Sequence, residues 1–270
     1  MYLLVSVTNA SEAVAALAGG AEILDAKDPK AGPIGAIGAA ALRDLCRLVP
    51  PAVPLSAALG DIRSPEDLRR SLQTVRGVAL AFVKLGFCGV EAPAQAATFL
   101  AATVEAVSTW PDPPAVVAVA YADWQRARAV EPRALLAEAV QAGAHGVLLD
   151  TAVKDGVGLL ELWEETRLGD WIGEAHAGGL FAALGGGLTR ADLEKVQELG
   201  ADIAGVRGAA CEGGRTGRVS TQRVSALRRE LDRVRPPYDA GLPFAQARPV
   251  ARSSAPMHRL RIPIGSARVK

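Results

Sequence analysis

The stretch from Val116 to Asp150, VVAVAYADWQRARAVEPRALLAEAVQAGAHGVLLD, holds one complete structural unit and the start of the next. Residues 116–121 form a short run of Val and Ala, too uniformly apolar for a strand with one wet face. Pro132 stands where a helix takes its first position, and residues 132–142 carry helical periodicity until Ala142-Gly143-Ala144 ends it. Gly146-Val147-Leu148-Leu149-Asp150 then repeats the apolar run. A strand, a crossover helix and a second strand of this kind predict a parallel sheet covered by helices.

Outward from this stretch the same unit recurs. Further apolar runs at 3–7, 23–27, 54–59, 79–84, 181–185 and 203–207 bring the strands to eight. Helical patterns fall at 11–17, 65–75, 93–108, 171–177, 189–199 and 221–234, with Ser11 before Glu12 and prolines opening the segments at 65 and 93. Eight such units predict a single (β/α)8, or TIM, barrel over residues 1–234. The alternative is a doubly wound open sheet, but no GxGxxG follows the first run. Beyond Arg235 come six prolines, scattered arginines and no periodicity, so residues 235–270 are expected to be a Pro/Arg-rich tail, extended or disordered. Leu242, Phe244, Leu260, Ile262 and Ile264 could instead anchor the tail on a second copy, in a homo-oligomer.

Half of the residues are hydrophobic and only 4% aromatic, so the core must be built from Ala, Val, Leu and Ile. The net charge of +1 gives no reason to expect nucleic acid as a partner. Cys46, Cys88 and Cys211 are widely spaced with no CxxC pair, which argues against a disulfide framework and a thiolate metal site. A reducing cytoplasm is the expected location. Met1 to Val7 has no basic n-region and is too short to span a membrane. His145, His176 and His258 are scattered, so no metal is expected, and the four tryptophans read as packing residues.

Barrels carry their chemistry at the C-terminal ends of strands and in the loops just after them. That rule selects Asp25, Lys27, Asp61, Lys84, Tyr121, Asp123, Asp150, Lys154 and Arg207. Asp25 and Lys27, two apart on a strand, share a face and should both point to the barrel mouth. Ammonium groups crowded in a low-dielectric mouth depress one another's pKa, and a neutral lysine is a carbonyl nucleophile. The carboxylates beside it can orient the amine or shuttle protons. The arrangement asks for an aldehyde or ketone; the competing reading is a structural ring of ion pairs. Lys30, on a loop bent by Pro29, is a rival nucleophile. The glycines Gly185-Gly186-Gly187 and the segment Arg207-Gly208-Ala209 follow the seventh and eighth strands, where barrels often hold phosphate on backbone N–H groups. Otherwise, the three glycines simply make a tight turn.

Five separated motifs, in order, are Asp25-Ala26-Lys27-Asp28-Pro29-Lys30, Phe82-Val83-Lys84-Leu85-Gly86, Ala120-Tyr121-Ala122-Asp123, Leu149-Asp150-Thr151-Ala152-Val153-Lys154-Asp155-Gly156 and Gly205-Val206-Arg207-Gly208-Ala209-Ala210-Cys211. Together they resemble the (5-formylfuran-3-yl)methyl phosphate synthase family of methanofuran biosynthesis, over residues 1–234. The resemblance implies condensation of two glyceraldehyde 3-phosphate molecules into a furan aldehyde that keeps one phosphate, with no cofactor. It also implies Lys27 as the Schiff-base lysine and Lys84 as a proton acceptor, with Asp25, Asp150 and Lys154 completing the site. A Schiff-base aldolase acting on another phosphorylated sugar would use the same lysines. A non-catalytic barrel that binds a phosphometabolite is the third reading.

Overall fold

Eight parallel strands close into a barrel in sequence order: β1 (Tyr2–Val7), β2 (Ile23–Ala26), β3 (Leu55–Asp61), β4 (Phe82–Gly86), β5 (Ala115–Tyr121), β6 (Gly146–Asp150), β7 (Phe181–Leu184) and β8 (Ile203–Val206). The seam is closed by β8 pairing with β1, Tyr2 opposite Ile203 and Val5 opposite Val206. This computed structural model describes residues 1–234, so the expected tail at 235–270 lies outside the described residues. No helix among the described residues is long and apolar enough to cross a membrane.

The outer layer consists of α1 (Ala10–Ala18), α2 (Ala39–Leu48), α3 (Pro65–Val75), α4 (Pro93–Ser108), α5 (Trp124–Ala127), α6 (Pro132–Gln141), α7 (Leu159–Leu162), α8 (Glu165–Ala177), α9 (Asp192–Glu198) and α10 (Thr221–Val234). Pro65, Pro93 and Pro132 open their helices as expected, because a first-turn position needs no N–H donor. The cap of α1 is Asn9, not Ser11: its side chain accepts the Glu12 amide at 3.0 Å. Helix α2 was not foreseen, and neither were the one-turn helices α5 and α7. Helix α8 starts at Glu165 rather than at Trp171. A small antiparallel hairpin, β9 (Cys211–Glu212) and β10 (Arg218–Val219), follows β8 and was also unforeseen.

Two boundary differences bear on the site. β4 runs from Phe82 to Gly86 rather than over 79–84, so Lys84 lies in mid-strand instead of at the end. β2 ends at Ala26, which leaves Lys27 one residue past the sheet.

Alternation along the strands divides the core in two. Outward residues such as Leu3, Val5, Leu24, Val83 and Leu149 pack under the helices. Inward residues Leu4, Ile23, Phe82, Val117, Leu148, Phe181 and Ile203 plug the barrel floor. There the Phe82 and Phe181 rings meet edge-on with centroids 6.1 Å apart, a geometry favoured by the ring quadrupoles. On β1 to β4 and on β6 the inward residues above this floor are polar: Ser6, Asp25, Ser56 and Lys84, then Lys27 just past β2 and Asp150. The floor thus turns from oil to charge within one side-chain layer.

Candidate active site

The deepest charged layer is held by strand register. Ser6 on β1 and Ser56 on β3 stand opposite Asp25 on β2. Both serine hydroxyls donate to its carboxylate, Ser6 to Oδ2 at 3.0 Å and Ser56 to Oδ1 at 2.8 Å. Lys84 Nζ reaches the same Oδ2 at 2.7 Å, and both charged residues are almost fully buried. Burial alone would raise the pKa of Asp25, but the ammonium groups of Lys84 and Lys27 and the serine hydrogen bond hold it below the usual carboxylate range.

One layer nearer the mouth, Asp150 at the end of β6 lies between two lysines. Lys154 Nζ donates to its Oδ1 at 2.7 Å and to Thr151 Oγ1 at 3.0 Å. Lys27 Nζ faces the other oxygen at 3.7 Å, beyond hydrogen-bond reach. Burial pushes Asp150 up, yet Lys154 and Lys27 outweigh it and hold the carboxyl at about 2. For Lys27 desolvation is the largest influence, and the like charges of Lys84 and Lys154 act with it; Asp150 and Asp25 only partly compensate. The Lys27 amine is lowered to about 8.

Lys27 also stands at the boundary of two spaces. Above it opens a cavity of about 530 Å³ lined by Lys27, Lys154, Arg190, Arg207, Arg215 and Arg223, with Asp150 the single acidic residue of the lining. That size suits a small-molecule site, about 300–1,000 Å³, and that charge suits an anion. Below Lys27 a space of about 30 Å³ runs down between Asp25 and Lys84, enough for water but not for substrate carbon. Lys84 therefore meets a ligand only through that lower space, a consequence of its mid-strand position. Lys30 is exposed and lines neither space.

The glycine-rich loops border the upper cavity through Gly186, Gly187, Gly208 and Ala209. Gly186 and Gly187 have φ of +85° and +76°. A Cβ on Gly186 would come within 2.9 Å of the Thr151 backbone nitrogen, so side chains are excluded by strain and by space. Among the described residues, the amides of these four positions meet no protein acceptor. The expected role of the Arg207 side chain needs correction. Its Nε donates to the Arg215 carbonyl, Nη1 to the Ser6 carbonyl and Glu12, and Nη2 to Glu12 and the Gly217 carbonyl, at 2.6–3.0 Å. All five guanidinium donors are used, so this arginine fixes the loops and has no N–H left for a ligand.

Of the remaining candidates, Asp61 and Tyr121 form a separate pair at 2.6 Å, in which burial raises both pKa values. Asp123 binds the loop that carries Lys154. Ser6, Ser56 and Thr151 were missed, because only strand pairing reveals a serine facing a carboxylate. Arg215 donates to the carbonyls of Pro29 and Gly32 and ties the hairpin to the loop after Lys27.

The 4-HFC-P synthase family model matches residues 3–228 of this chain. A (5-formylfuran-3-yl)methyl phosphate synthase from Methanocaldococcus jannaschii is 38% identical over 234 residues, covering 84% of this chain and 98% of that protein. The enzyme of the same name from Methanopyrus kandleri is 37% identical over 213 residues, 78% of this chain and 90% of that one. Among solved structures, phosphoribosyl anthranilate isomerase from Thermus thermophilus aligns with a TM-score of 0.58 at 21% identity, over 87% of this chain and 100% of that one. That last likeness is one of fold. The family match runs through the whole barrel, from β1 into α10, and identity to relatives holds over the same length: the chain is an enzyme and belongs to the 4-HFC-P synthase family.

Proposed function

We propose that this enzyme condenses two molecules of glyceraldehyde 3-phosphate through an imine on Lys27 into 4-(hydroxymethyl)-2-furancarboxaldehyde phosphate, for a methanofuran-type cofactor. Inorganic phosphate and water leave. The observation that carries the reading is the state of Lys27: of the three buried-site lysines it alone lacks a hydrogen bond to a carboxylate, it lines the large cavity, and it is held at about 8. At pH 7 about a tenth of such an amine is neutral, far more than for an ordinary lysine.

The neutral amine adds to the aldehyde carbon of one triose, and loss of water gives the imine. Protonated, that imine withdraws electrons from the adjacent carbon, whose proton then leaves toward the Lys84–Asp25 pair through the water-sized space below. The electron pair expels the neighbouring phosphate, breaking its C–O bond. The anionic Asp150 stabilises the cationic imine from the side. The second triose isomerises to its ketone by proton transfer from C2 to C1. The carbon nucleophile regenerated from the imine adds to that ketone carbon, whose phosphorylated CH2 group is retained by the free amides of Gly186, Gly187, Gly208 and Ala209. The C1 hydroxyl then supplies the ring oxygen. Ring closure, release of Lys27 and loss of water complete the furan. The steps are one redox-neutral isomerisation together with additions and eliminations, so no external oxidant is needed.

The test is to incubate the protein with glyceraldehyde 3-phosphate, treat half with borohydride for peptide mapping, and follow furan absorbance and phosphate in the rest. A reduced adduct on Lys27, with furan and phosphate appearing together, is expected. An adduct without furan would instead indicate an aldolase of other specificity. Neither adduct nor furan would overturn the imine chemistry.

A further inference from the structure

Asp123 is a buried charge that the mechanism above does not use. It lies just past β5, is 6% exposed and lines neither the large cavity nor the space beneath it. Its Oδ1 accepts the Ala152 amide at 2.7 Å and its Oδ2 the Val153 amide at 2.9 Å. Those amides immediately precede Lys154, in a segment between β6 and α7 that has no regular structure of its own. A carboxylate that spends both oxygens on adjacent N–H groups makes two charge-assisted bonds and sets the path of the backbone between them. The Ala122 amide, one residue earlier, donates to the Asp150 carbonyl at 2.8 Å and anchors the start of the same segment. The Arg126–Asp155 pair at its far side is solvent-exposed and adds little.

Lys154 occupies Asp150 Oδ1, and Lys27 faces Oδ2 across 3.7 Å. With Lys154 gone, Lys27 would be the nearest cation to a buried carboxylate, and the gap would close into a direct ion pair.

We propose that Asp123 is a positioning residue for the imine step: by clamping the amides of Ala152 and Val153 it locks Lys154 onto Asp150 and so keeps Lys27 out of that ion pair. The inference rests on Lys27 being the imine-forming amine. The charged groups that act on Lys27 are Asp25 beside it on β2, Lys84 from β4, Asp150 from β6 and Lys154. Asp61 and Arg215 act in turn on Asp150 or feel its charge. Of these, only Lys154 is held by Asp123. Releasing it removes a like charge from Lys27 and frees an opposite one, and both changes favour the ammonium.

The experiment measures borohydride trapping of glyceraldehyde 3-phosphate on Lys27 from pH 6 to pH 9 in the full chain. The wild type is compared with Asp123→Ala, Asp123→Asn, Lys154→Met and the double variant Asp123→Ala/Lys154→Met. The midpoint in Asp123→Ala should move up by about one unit, making trapping about tenfold slower at pH 7 but only about twofold slower at pH 9. Asp123→Asn, which keeps one acceptor, should fall between. Lys154→Met should show a similar displacement, and the double variant no further one. Loss of rate by the same factor at every pH would mark a merely structural residue and overturn the inference, as would displacements that add in the double variant. Where Asp123→Ala does not fold, Asp123→Asn and its double with Lys154→Met carry the same cycle. Wild type that traps nothing on Lys27 overturns the imine reading; wild type that traps, with an unmoved profile in the variants, overturns this inference alone.

Discussion

A lysine kept short of its preferred charge state is a cost to folding as well as a source of reactivity. The unfolded chain holds the Lys27 proton up to about pH 10.4, whereas the folded site holds it only to about 8. Below pH 8 the whole penalty therefore falls on the folded state; between the two values the unfolded chain binds more protons, and stability rises with pH. Lys27→Met is expected to abolish trapping and to stabilise the protein at pH 7 by on the order of 1–2 kcal/mol. The gain should fade toward pH 10, as read from denaturant midpoints across pH. Asp25 and Lys27 were legible because alternation places residues two apart on one face. The use made of Arg207 was not, because its partner Glu12 lies 195 residues away and no local spacing announces such a pair.

Elements place these residues, and small displacements of their ends decide what each side chain meets. Reading β4 as ending at residue 84 put Lys84 on the rim, while the true span carries it down to Asp25. A lysine after an apolar run reads as the end of a strand, yet Leu85 and Gly86 beyond it continue the pairing with β5. Helix α2 escaped notice because Ala39-Ala40-Ala41 shows little contrast after a glycine-rich stretch; its buried face rests on Leu42 and Leu45. Where β3, β4 and β5 end side by side, a Cβ on Gly86 would lie 2.5 Å from Asp61 Oδ1, Ile34 Cδ1 and the Tyr121 hydroxyl. Gly86→Ala should thus destabilise by about 1–3 kcal/mol, measurable by thermal melting. At the seam, Arg207 beyond β8 grips Glu12 on α1 at 2.6 Å, with both side chains buried. Arg207→Met leaves that carboxylate without its cation and should cost about 3–5 kcal/mol, seen in chemical denaturation. Burial raises the Glu12 pKa, but Arg207 and the Thr8 hydrogen bonds bring it below 4.5, so this contribution is present at neutral pH and is lost only as acid titrates through the lowered value.

At the scale of the whole molecule, the count of eight units was the most legible feature, because each unit repeats the same punctuation. That the strand ends meet at one mouth followed from that count; what could not be read was which of their side chains bind one another. Its charge is local: a chain of net charge +1 gathers Lys27, Lys154 and four arginines around one opening. The KM for a phosphorylated substrate should accordingly rise with ionic strength while kcat changes little, which steady-state assays at several salt concentrations would show. Among the described residues, those that build the site fall between Ser6 and Arg223, so a chain ending at residue 234 is expected to trap the imine as the full chain does. Closure of the ring between β8 and β1 has a temporal consequence during synthesis. Lys27 leaves the ribosome early, yet its desolvation requires strands that emerge last. Until then its amine remains a hydrated, protonated lysine like any other, so the nascent chain carries no unusually reactive group among the free aldehydes of the cell, and the proposed nucleophile is armed by the final act of folding.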